Sequence, residues 1–317
     1  MKWYQFTPSD TLFFRGAEPM VSGMDFETSL AFPPSGSVIS GAVRAAVLSQ
    51  QNIPILSYKK GHAVGKTIGA YGEPAPFNII GPLMRYGRED FVPAPCSWYY
   101  DSSDHGRSIS IIKSIPLGGE ICQQLGLKTS TGEFNWTQHD NEVKSLAGSW
   151  ITLRGLRENK SRFEAGVSIF IPGRGLSELF TVEPRTGNAI DYNRKVEESK
   201  LYSSRHIRLK TGVRLIWGID RECGLAPEGV LVLGGEQRFG AYELLSQAPA
   251  FPAAGTDYLG LSPIIVDSTS SEALVAAGEI SYRGGWNIAE QFHKDMIGYY
   301  PSGAVFKKNI NNCCIPF

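Results

Sequence analysis

The stretch FPPSGSVISGAVRAAVL, residues 32–48, combines a helical apolar pattern with an unusual start. Two prolines force extended backbone, and the serines that follow can cap a helix. Apolar residues then recur at helical spacing, at Val38, Ile39, Ala42, Val43, Ala46 and Val47. This is the clearest helix in the sequence. A plain core helix would not need the extra serines, Gly41 or Arg44.

Most of the remaining sequence favours strands and turns. The 35 glycines and 19 prolines indicate many turns rather than long helices. Strands are predicted at residues 2–7, 149–153 and 165–171, and a strand or hairpin at residues 205–220, RHIRLKTGVRLIWGID. The segment GVLVLGG, residues 229–235, is either a short apolar strand or the end of a helix, and it runs into glycines. Residues 251–260 resemble a linker before a small C-terminal segment.

The charge of the chain is balanced overall but uneven along its length. Lys plus Arg and Asp plus Glu count 31 each, which excludes a general basic field, so a nucleic-acid site would have to be a local patch. Residues 185–210 hold seven basic residues against three acidic ones, a local net charge of +4, with Tyr192 and Tyr202 between them. This composition is typical of a groove for single-stranded nucleic acid, although a solvated loop is the alternative.

Two further segments suggest phosphate binding. The start of a helix offers free N–H groups to an anion, and here Ser35, Ser37, Ser40 and Arg44 would add donors. In LGGEQRFGAYEL, the pair Gly234–Gly235 with Arg238 suits either phosphate oxygens or a tight turn between elements.

A second glycine pair occurs at Gly284–Gly285, between Arg283 and Trp286. It is compatible with a backbone nest beside a stacking residue, or with a turn beside a core tryptophan.

Signatures of catalysis are weak. GHAVGKT, residues 61–67, has three residues between its glycines where a phosphate-binding P-loop needs four. The five histidines are scattered, with no metal-ligand spacing, and no nucleophile motif is present. The five cysteines include no CxxC pair, and no signal peptide or apolar span is evident. A cytoplasmic protein without cofactor or metal is expected.

Five segments in this order resemble a known family: PSDTLFFRGAEP, FPPSGSVISGAVRAAVL, EPRTGNAIDYNRKVEESKLYS, VLGGEQRFG and GGWNIAEQFHKDMIGYYPSGAVF. They are similar to the third subunit of the Cmr complex, the type III-B CRISPR effector, within the RAMP superfamily. The resemblance runs from Pro8 to Phe306 and therefore covers most of the chain.

The resemblance implies an α+β, ferredoxin-like (RRM-like) RAMP fold with two ferredoxin-like halves. Residues 1–250 would form the first, with insertions and a thumb-like hairpin at about 181–204. Residues 256–317 would form a smaller second half, shorter than the family leads us to expect. The subunit would bind the 5′ repeat tag of the guide RNA, cap the complex and serve antiviral defence without catalysis. Its partners would be the large polymerase-like subunit, the backbone RAMP subunit and, indirectly, target RNA, with no membrane.

The RNA-binding residues expected from the residues and the resemblance together are Arg15, Ser35, Ser37, Ser40, Arg44, Arg185, Tyr192, Arg194, Lys195, Arg205, Gly234, Gly235, Glu236, Arg238, Gly284, Gly285 and Trp286. The alternative is an RNA-cleaving or nucleotide-hydrolysing enzyme of the same superfamily. A protein scaffold without RNA contact is the third reading.

Overall fold

The structure is a computed structural model that describes residues 1–16, 30–61, 64–128, 134–174, 178–193, 195–287 and 292–317. The helices in these residues are α1 (Gly36–Gln50), α2 (Ile55–Lys59), α3 (Gly65–Ile68), α4 (Gly119–Gln124), α5 (Leu153–Arg157) and α6 (Ser268–Ala273). The first twelve strands are β1 (Lys2–Pro8), β2 (Ile79–Tyr86), β3 (Glu89–Pro93), β4 (Trp98–Asp101), β5 (Ser108–Ser110), β6 (Ile112–Lys113), β7 (Ile115–Pro116), β8 (Asn135–Trp136), β9 (Val143–Ser145), β10 (Trp150–Thr152), β11 (Arg162–Glu164) and β12 (Ile169–Phe170). The next twelve are β13 (Phe180–Ile190), β14 (Val196–Leu209), β15 (Val213–Ile219), β16 (Glu228–Val232), β17 (Phe239–Leu244), β18 (Tyr258–Gly260), β19 (Ile264–Ile265), β20 (Leu274–Ala276), β21 (Ser281–Asn287), β22 (Phe292–Tyr300), β23 (Val305–Phe306) and β24 (Cys314–Pro316).

The fold is therefore mixed α/β and rich in sheet, as the sequence predicted; two ferredoxin-like halves remain a prediction. The backbone divides into two compact units, each built from three separate segments. Unit 1 comprises Met1–Ile79, Phe180–Ser246 and Tyr282–Met296, and unit 2 comprises Ile80–Leu179, Gln247–Ser281 and Ile297–Phe317. The sequence placed its one boundary between residues 250 and 256, a region that the backbone assigns to unit 2.

Unit 1 is built on an antiparallel sheet with the strand order β16–β17–β1–β15. The alternation of β1 predicts one buried face, and the register places Phe6 between Leu215 and Tyr242. Tyr4, Phe6, Trp217 and Tyr242 are buried on this face. The strands predicted around residues 2–7 and 205–220 are confirmed.

The predicted apolar stripe of α1 lies in this core. Ile39, Ala42, Val43, Ala46 and Val47 are buried, whereas Val38 at the start of the helix is exposed. Gln50, near the other end of the helix, donates a hydrogen bond to the hydroxyl of Tyr242. The helix therefore holds its place in unit 1 through both apolar packing and a polar contact at its end.

A long antiparallel hairpin, β13–β14, belongs to unit 1 and runs from Phe180 to Leu209. The 14 residues of β14 span roughly 45 Å at about 3.3 Å per residue. Its root is fixed by a bridge in which Leu12 and Ile207 exchange main-chain hydrogen bonds of 2.8 Å. This hairpin covers the segment predicted at 181–204.

Unit 2 has its own strands in the order β12–β10–β3–β2, and a smaller sheet ordered β20–β23–β18–β24. The strands predicted at 149–153 and 165–171 are present as β10 and β12, each shorter than expected. The predicted linker at 251–260 ends in β18, which pairs with β23 and β24.

No helix among the described residues is both long and apolar enough to cross a membrane.

Candidate functional site

Asp10 stands at the centre of a charged site in unit 1. It follows β1, whose pairing with β17 ends at Pro8 and Gly240. Its carboxylate lies 3.0 Å from Nη1 of Arg208, and its other oxygen lies 3.5 Å from both Arg185 Nη2 and Arg238 Nη1. One carboxylate thus gathers three guanidinium groups from two different parts of the chain.

Two further carboxylates complete this site. Glu183 accepts from Arg185 at 2.7 Å and from Arg208 at 2.7 Å, and Glu236 accepts from Arg238 at 2.9 Å. We call these six residues the Asp10 cluster: Asp10, Glu183, Arg185, Arg208, Glu236 and Arg238. Three cations face three anions, so the cluster is neutral, and its arginines are held in place before any ligand arrives.

The alternation of the hairpin explains why these residues meet. In its register Glu183 opposes His206, Arg185 opposes Ser204, and Thr181 opposes Arg208. Residues that oppose one another, and those two apart, share a face of a strand pair. The same face continues outward to Tyr202, whose ring lies across Gly187: a Cβ on that glycine would stand 2.4 Å from the ring.

His206 lies under the Asp10 cluster and is fully buried. Its ring stacks on Phe13 with 5.0 Å between centroids, and its nitrogens lie 3.2 Å from the hydroxyls of Thr11 and Ser204. Burial lowers the pKa of His206 below its ordinary value, an effect that nearby Glu236 opposes. Burial thus favours the neutral imidazole and keeps the ring from contacting a ligand directly.

The glycine pair forms the turn between β16 and β17. Gly234 has a positive φ of 88°, and a Cβ there would stand 2.4 Å from the carbonyl oxygen of Phe13. Gly235 donates its N–H to the same oxygen at 2.8 Å. Of the two interpretations of this pair, the structure thus contains the tight turn; a ligand contact remains a proposal. The turn places Glu236 and Arg238 beside the hairpin root.

Two carboxylates of the cluster, Asp10 and Glu183, are stabilised in their charged form. Partial burial opposes ionisation of Asp10, but hydrogen bonds from Arg208 keep the pKa of Asp10 below its ordinary value. Hydrogen bonds from Arg208 and then Arg185 lower the pKa of Glu183. Nε of Arg238 is buried without an acceptor among the described residues, so this side chain retains an unused donor.

Arg44, a predicted phosphate ligand, is engaged by its own unit. Its guanidinium donates to the carbonyl oxygens of Glu73 at 2.8 Å and Ala70 at 2.6 Å, and to the hydroxyl of Tyr58, whose ring it also faces. These contacts tie α1 to the 70–73 loop. They give the arginine of this helix a structural reason to be there, and an RNA contact remains only a prediction.

Of the serines at the start of α1, Ser35 occupies the predicted N-cap position. Ser35 is the N-cap residue, but its side chain makes no capping hydrogen bond; its hydroxyl lies 2.8 Å from that of Ser37 instead. Ser37 is exposed and Ser40 is half-buried. Arg15 is exposed in a short bridge with Leu30. None of the four belongs to the Asp10 cluster.

The outer part of the hairpin carries Tyr192 and Lys195, both exposed, Tyr192 to 95%. Asp191 closes this turn through main-chain and side-chain bonds of 2.8 Å to Lys195. Arg205 opposes Pro184, on the face away from the cluster. Arg194 lies outside the described residues. The predicted hairpin residues are thus spread along its length rather than joined in one site.

The second glycine pair differs from its prediction. Gly284, Gly285 and Trp286 lie within strand β21, which neighbours β22. The local backbone is an extended strand, so neither the nest nor the turn suggested by the sequence is correct. RNA binding by these three residues stays a prediction.

Four residues of the site were not predicted: Asp10, Glu183, His206 and Arg208. Asp10 and Arg208 are 198 positions apart, so no local pattern joins them. The available signal was the spacing of Glu183 with Arg185, and of His206 with Arg208, two apart on predicted strands. Within the described residues, no group of three His, Cys, Asp or Glu side chains could hold a metal ion.

Known proteins resemble this chain in both sequence and fold. Residues 4–257 match the sequence profile of a family described as CRISPR-associated protein (Cas_Cmr3). No curated protein matches the chain significantly. Two solved chains share its fold, from "Cryo-EM structure of the Type III-B Cmr-beta bound to cognate target RNA" (TM-score 0.56, 18% identity) and from the same assembly with AMPPnP, state 1 (TM-score 0.54, 17% identity). Each alignment covers 96% of this chain and 86% of the other.

Proposed function

Because this chain belongs to the Cas_Cmr3 family of CRISPR-associated proteins, we propose that it grips the 5′ repeat tag of the guide RNA in a type III-B effector complex. In this role it caps the complex beside the large polymerase-like subunit. The backbone RAMP subunit is its other protein neighbour, and target RNA is reached only through these partners. The chain binds RNA without cutting it, as part of antiviral defence in the cytoplasm.

The observation that carries this proposal is the sharing of Asp10 by three arginines at the root of a long hairpin. Arginine suits phosphate because its planar group presents several N–H donors at once. Salt bridges to Asp10, Glu183 and Glu236 fix the three side chains in advance. Less side-chain entropy is then lost when a phosphate binds.

Because the Asp10 cluster is neutral, we expect it to position bound RNA rather than to attract RNA from a distance. Three guanidinium groups against three carboxylates create no net field for steering RNA. Attraction over distance would come from the basic residues along the hairpin, such as exposed Lys195. The cluster would then fix the register of the backbone, and the bases would be read elsewhere.

The aromatic residues of the hairpin suit unpaired bases. Tyr202 lies on the cluster face and is partly exposed, and Tyr192 stands exposed at the tip. Bases stack on such rings without regard to sequence. A strand of RNA that passes from Arg208 toward the tip would meet a cation first and then two rings.

The test is the affinity of the effector complex assembled with this chain for a labelled RNA that bears the repeat tag of the same locus. Arg208→Ala and Arg238→Ala should each weaken binding about five- to tenfold, and each should reduce the salt dependence of binding. Arg221→Ala is the matched control, because Arg221 is exposed in unit 1 and lies outside the cluster. Equal affinities in all three variants, or binding that is flat in salt, would refute phosphate recognition at this site.

A further inference from the structure

The outward face of the β16–β17 hairpin is unusually apolar for a surface. Val230 is 64% exposed, Val232 50% and Phe239 51%. In the register Val232 opposes Phe239 and Val230 opposes Ala241, so these four side chains adjoin on one face. The buried face of the same hairpin carries Leu231 and Tyr242. The outward face is thus a continuous apolar patch on a sheet that is already packed on its other side.

The backbone of β16 has an open edge beside this patch. Leu233 donates to the carbonyl of Arg238 at 2.8 Å, and Leu244 of β17 donates to the carbonyl of Pro227 at 2.6 Å, so one such bond lies at each end of the β16–β17 pair. In an antiparallel ladder such bonds alternate, so the odd-numbered residues of β16 bond to β17. The N–H and C=O groups of Glu228, Val230 and Val232 therefore point away from it. Among the described residues β16 is the last strand on this side of its sheet.

Among the described residues, this edge has few of the features by which proteins prevent strand addition. Natural sheets protect an edge with lysine, proline, a bulge or a covering loop. Strand β16 reads Glu-Gly-Val-Leu-Val, and its register with β17 runs without interruption. Only Pro227 borders it. An open, regular and apolar edge of this kind is expected to be covered when the protein is in its working assembly.

Charge on the same face defines what would cover it. Glu228 directly opposes Glu243, and like charges in that position are unfavourable. Gln5 donates to Glu243, but among the described residues neither carboxylate pairs with a cation. A lysine or arginine brought by a partner would relieve this repulsion. The apolar patch, one step along the strand, would accept an apolar side chain.

We propose that β16 receives an extended segment of another protein chain, which adds as a strand and carries a basic residue opposite Glu228 and an apolar residue over Val230 and Phe239. Main-chain bonds would supply the affinity and the alternating side chains the specificity. The Gly234–Gly235 turn joins the same two strands, so the segment would end beside the Asp10 cluster. The inference stands on the edge alone and does not depend on RNA binding.

A second copy of this chain fits the edge less well. Antiparallel self-pairing centred on Val230 would set Glu228 of one copy against Val232 of the other. Both pairs of carboxylates would then remain without a cation. A different, basic segment is therefore the occupant that the charges favour.

The first test is amide hydrogen exchange, resolved to single residues, in the isolated chain and in the complex reconstituted from all protein subunits of its locus. Strand addition predicts that the amides of Val230 and Val232 slow at least tenfold on assembly. Gly229 and Leu231 already bond to β17 and should change little. Equal exchange of Val230 and Val232 in both states would overturn the proposal.

The second test separates this surface from RNA binding and from self-association. Val230→Lys should reduce recovery of the other subunits at least fivefold and leave tag-RNA affinity unchanged. Val167→Lys, at a turn in unit 2 with 58% exposure, is the matched control and should retain them. Sedimentation of the isolated chain as a dimer that Val230→Lys abolishes, or RNA crosslinks at Phe239, would overturn the proposal in favour of a second copy or of RNA.

Discussion

Arg44 and Arg238 are both arginines that the sequence marks for phosphate binding, yet unit 1 uses them differently. Arg44 donates to two main-chain carbonyls and to the Tyr58 hydroxyl, all within 29 positions of it in the sequence. Arg238 is held by the carboxylates of Asp10 and Glu236, and its buried Nε has no acceptor in the described part of the chain. An arginine bonded to carbonyls secures a loop. An arginine fixed between carboxylates at the root of the hairpin is the one that we propose for phosphate.

The difference follows from what surrounds each side chain. Arg44 bonds to two carbonyl groups of the largely exposed 70–73 loop, so its donors tie that loop to α1. Near Arg238, by contrast, the turn at Gly234–Gly235 already bonds to Phe13 through its main chain. The turn therefore does not use the side chains of Glu236 and Arg238, which lie in the Asp10 cluster instead.

The largest expected effect concerns the turn on which Arg238 depends. Gly234→Ala should lower the free energy of unfolding by about 2–3 kcal/mol, because alanine is strained at a φ of 88° and its Cβ would meet the Phe13 oxygen. Urea unfolding measures this loss. Gly41→Ala is the control: its Cβ would meet nothing within 4 Å in mid-helix, and it should stabilise by about 0.5–1 kcal/mol. Equal effects would show that the turn is not anchored on Phe13.

The second prediction separates the two arginines by stability. Arg44→Ala should cost about 1–2 kcal/mol of unfolding free energy, since it removes hydrogen bonds from two carbonyls and a hydroxyl. Arg221→Ala, exposed and outside both sites, should stay within about 0.5 kcal/mol of the parent. If Arg44→Ala kept full stability and yet lost tag-RNA affinity, α1 rather than the Asp10 cluster would be the phosphate site.

The smallest expected effect is on pH dependence near the cluster. Burial lowers the pKa of His206 in the folded protein, so the unfolded chain takes up this proton first as the pH falls. Stability is fully present above the ordinary histidine pKa of about 6.5 and declines below it, toward the folded pKa. His206→Gln should flatten the slope of unfolding free energy between pH 7 and 5.5. An unchanged slope would mean that His206 takes up its proton equally in both states.

The carboxylates of Asp10 and Glu183 affect stability in a separate, more acidic pH range. The pKa values of Asp10 and Glu183 are lowered in the folded state, so their contribution persists above their ordinary values of about 4 and is lost only below them. This window does not overlap that of His206, which keeps the histidine measurement interpretable.

Local patterns sufficed to predict several elements of unit 1. The stripe from Ile39 to Val47 and the alternation of Lys2–Thr7 are properties of neighbouring residues, and both appear as α1 and β1. The glycine pair at Gly234 was identified for the same reason, since only glycine tolerates such a turn beside another backbone. The strand at Gly284–Gly285 was missed because glycine there accompanies extended backbone.

The Asp10 cluster could not be assembled from local patterns. The partners of Asp10 come from segments far along the chain. Only the register of β13 with β14 brings Glu183 to the face of His206 and Arg208. Sequence composition marked the hairpin as basic, but it could not show that its innermost arginines are already neutralised.

The most direct measurement is photocrosslinking of the assembled complex loaded with a guide RNA that carries photoreactive bases in its 5′ tag, with the crosslinked residues identified by mass spectrometry. The account predicts crosslinks in Asp10–Phe13, at Tyr202–Arg208 and in Gly234–Arg238. Crosslinks confined to other subunits, or to the start of α1 near Ser35 and Arg44, would contradict it.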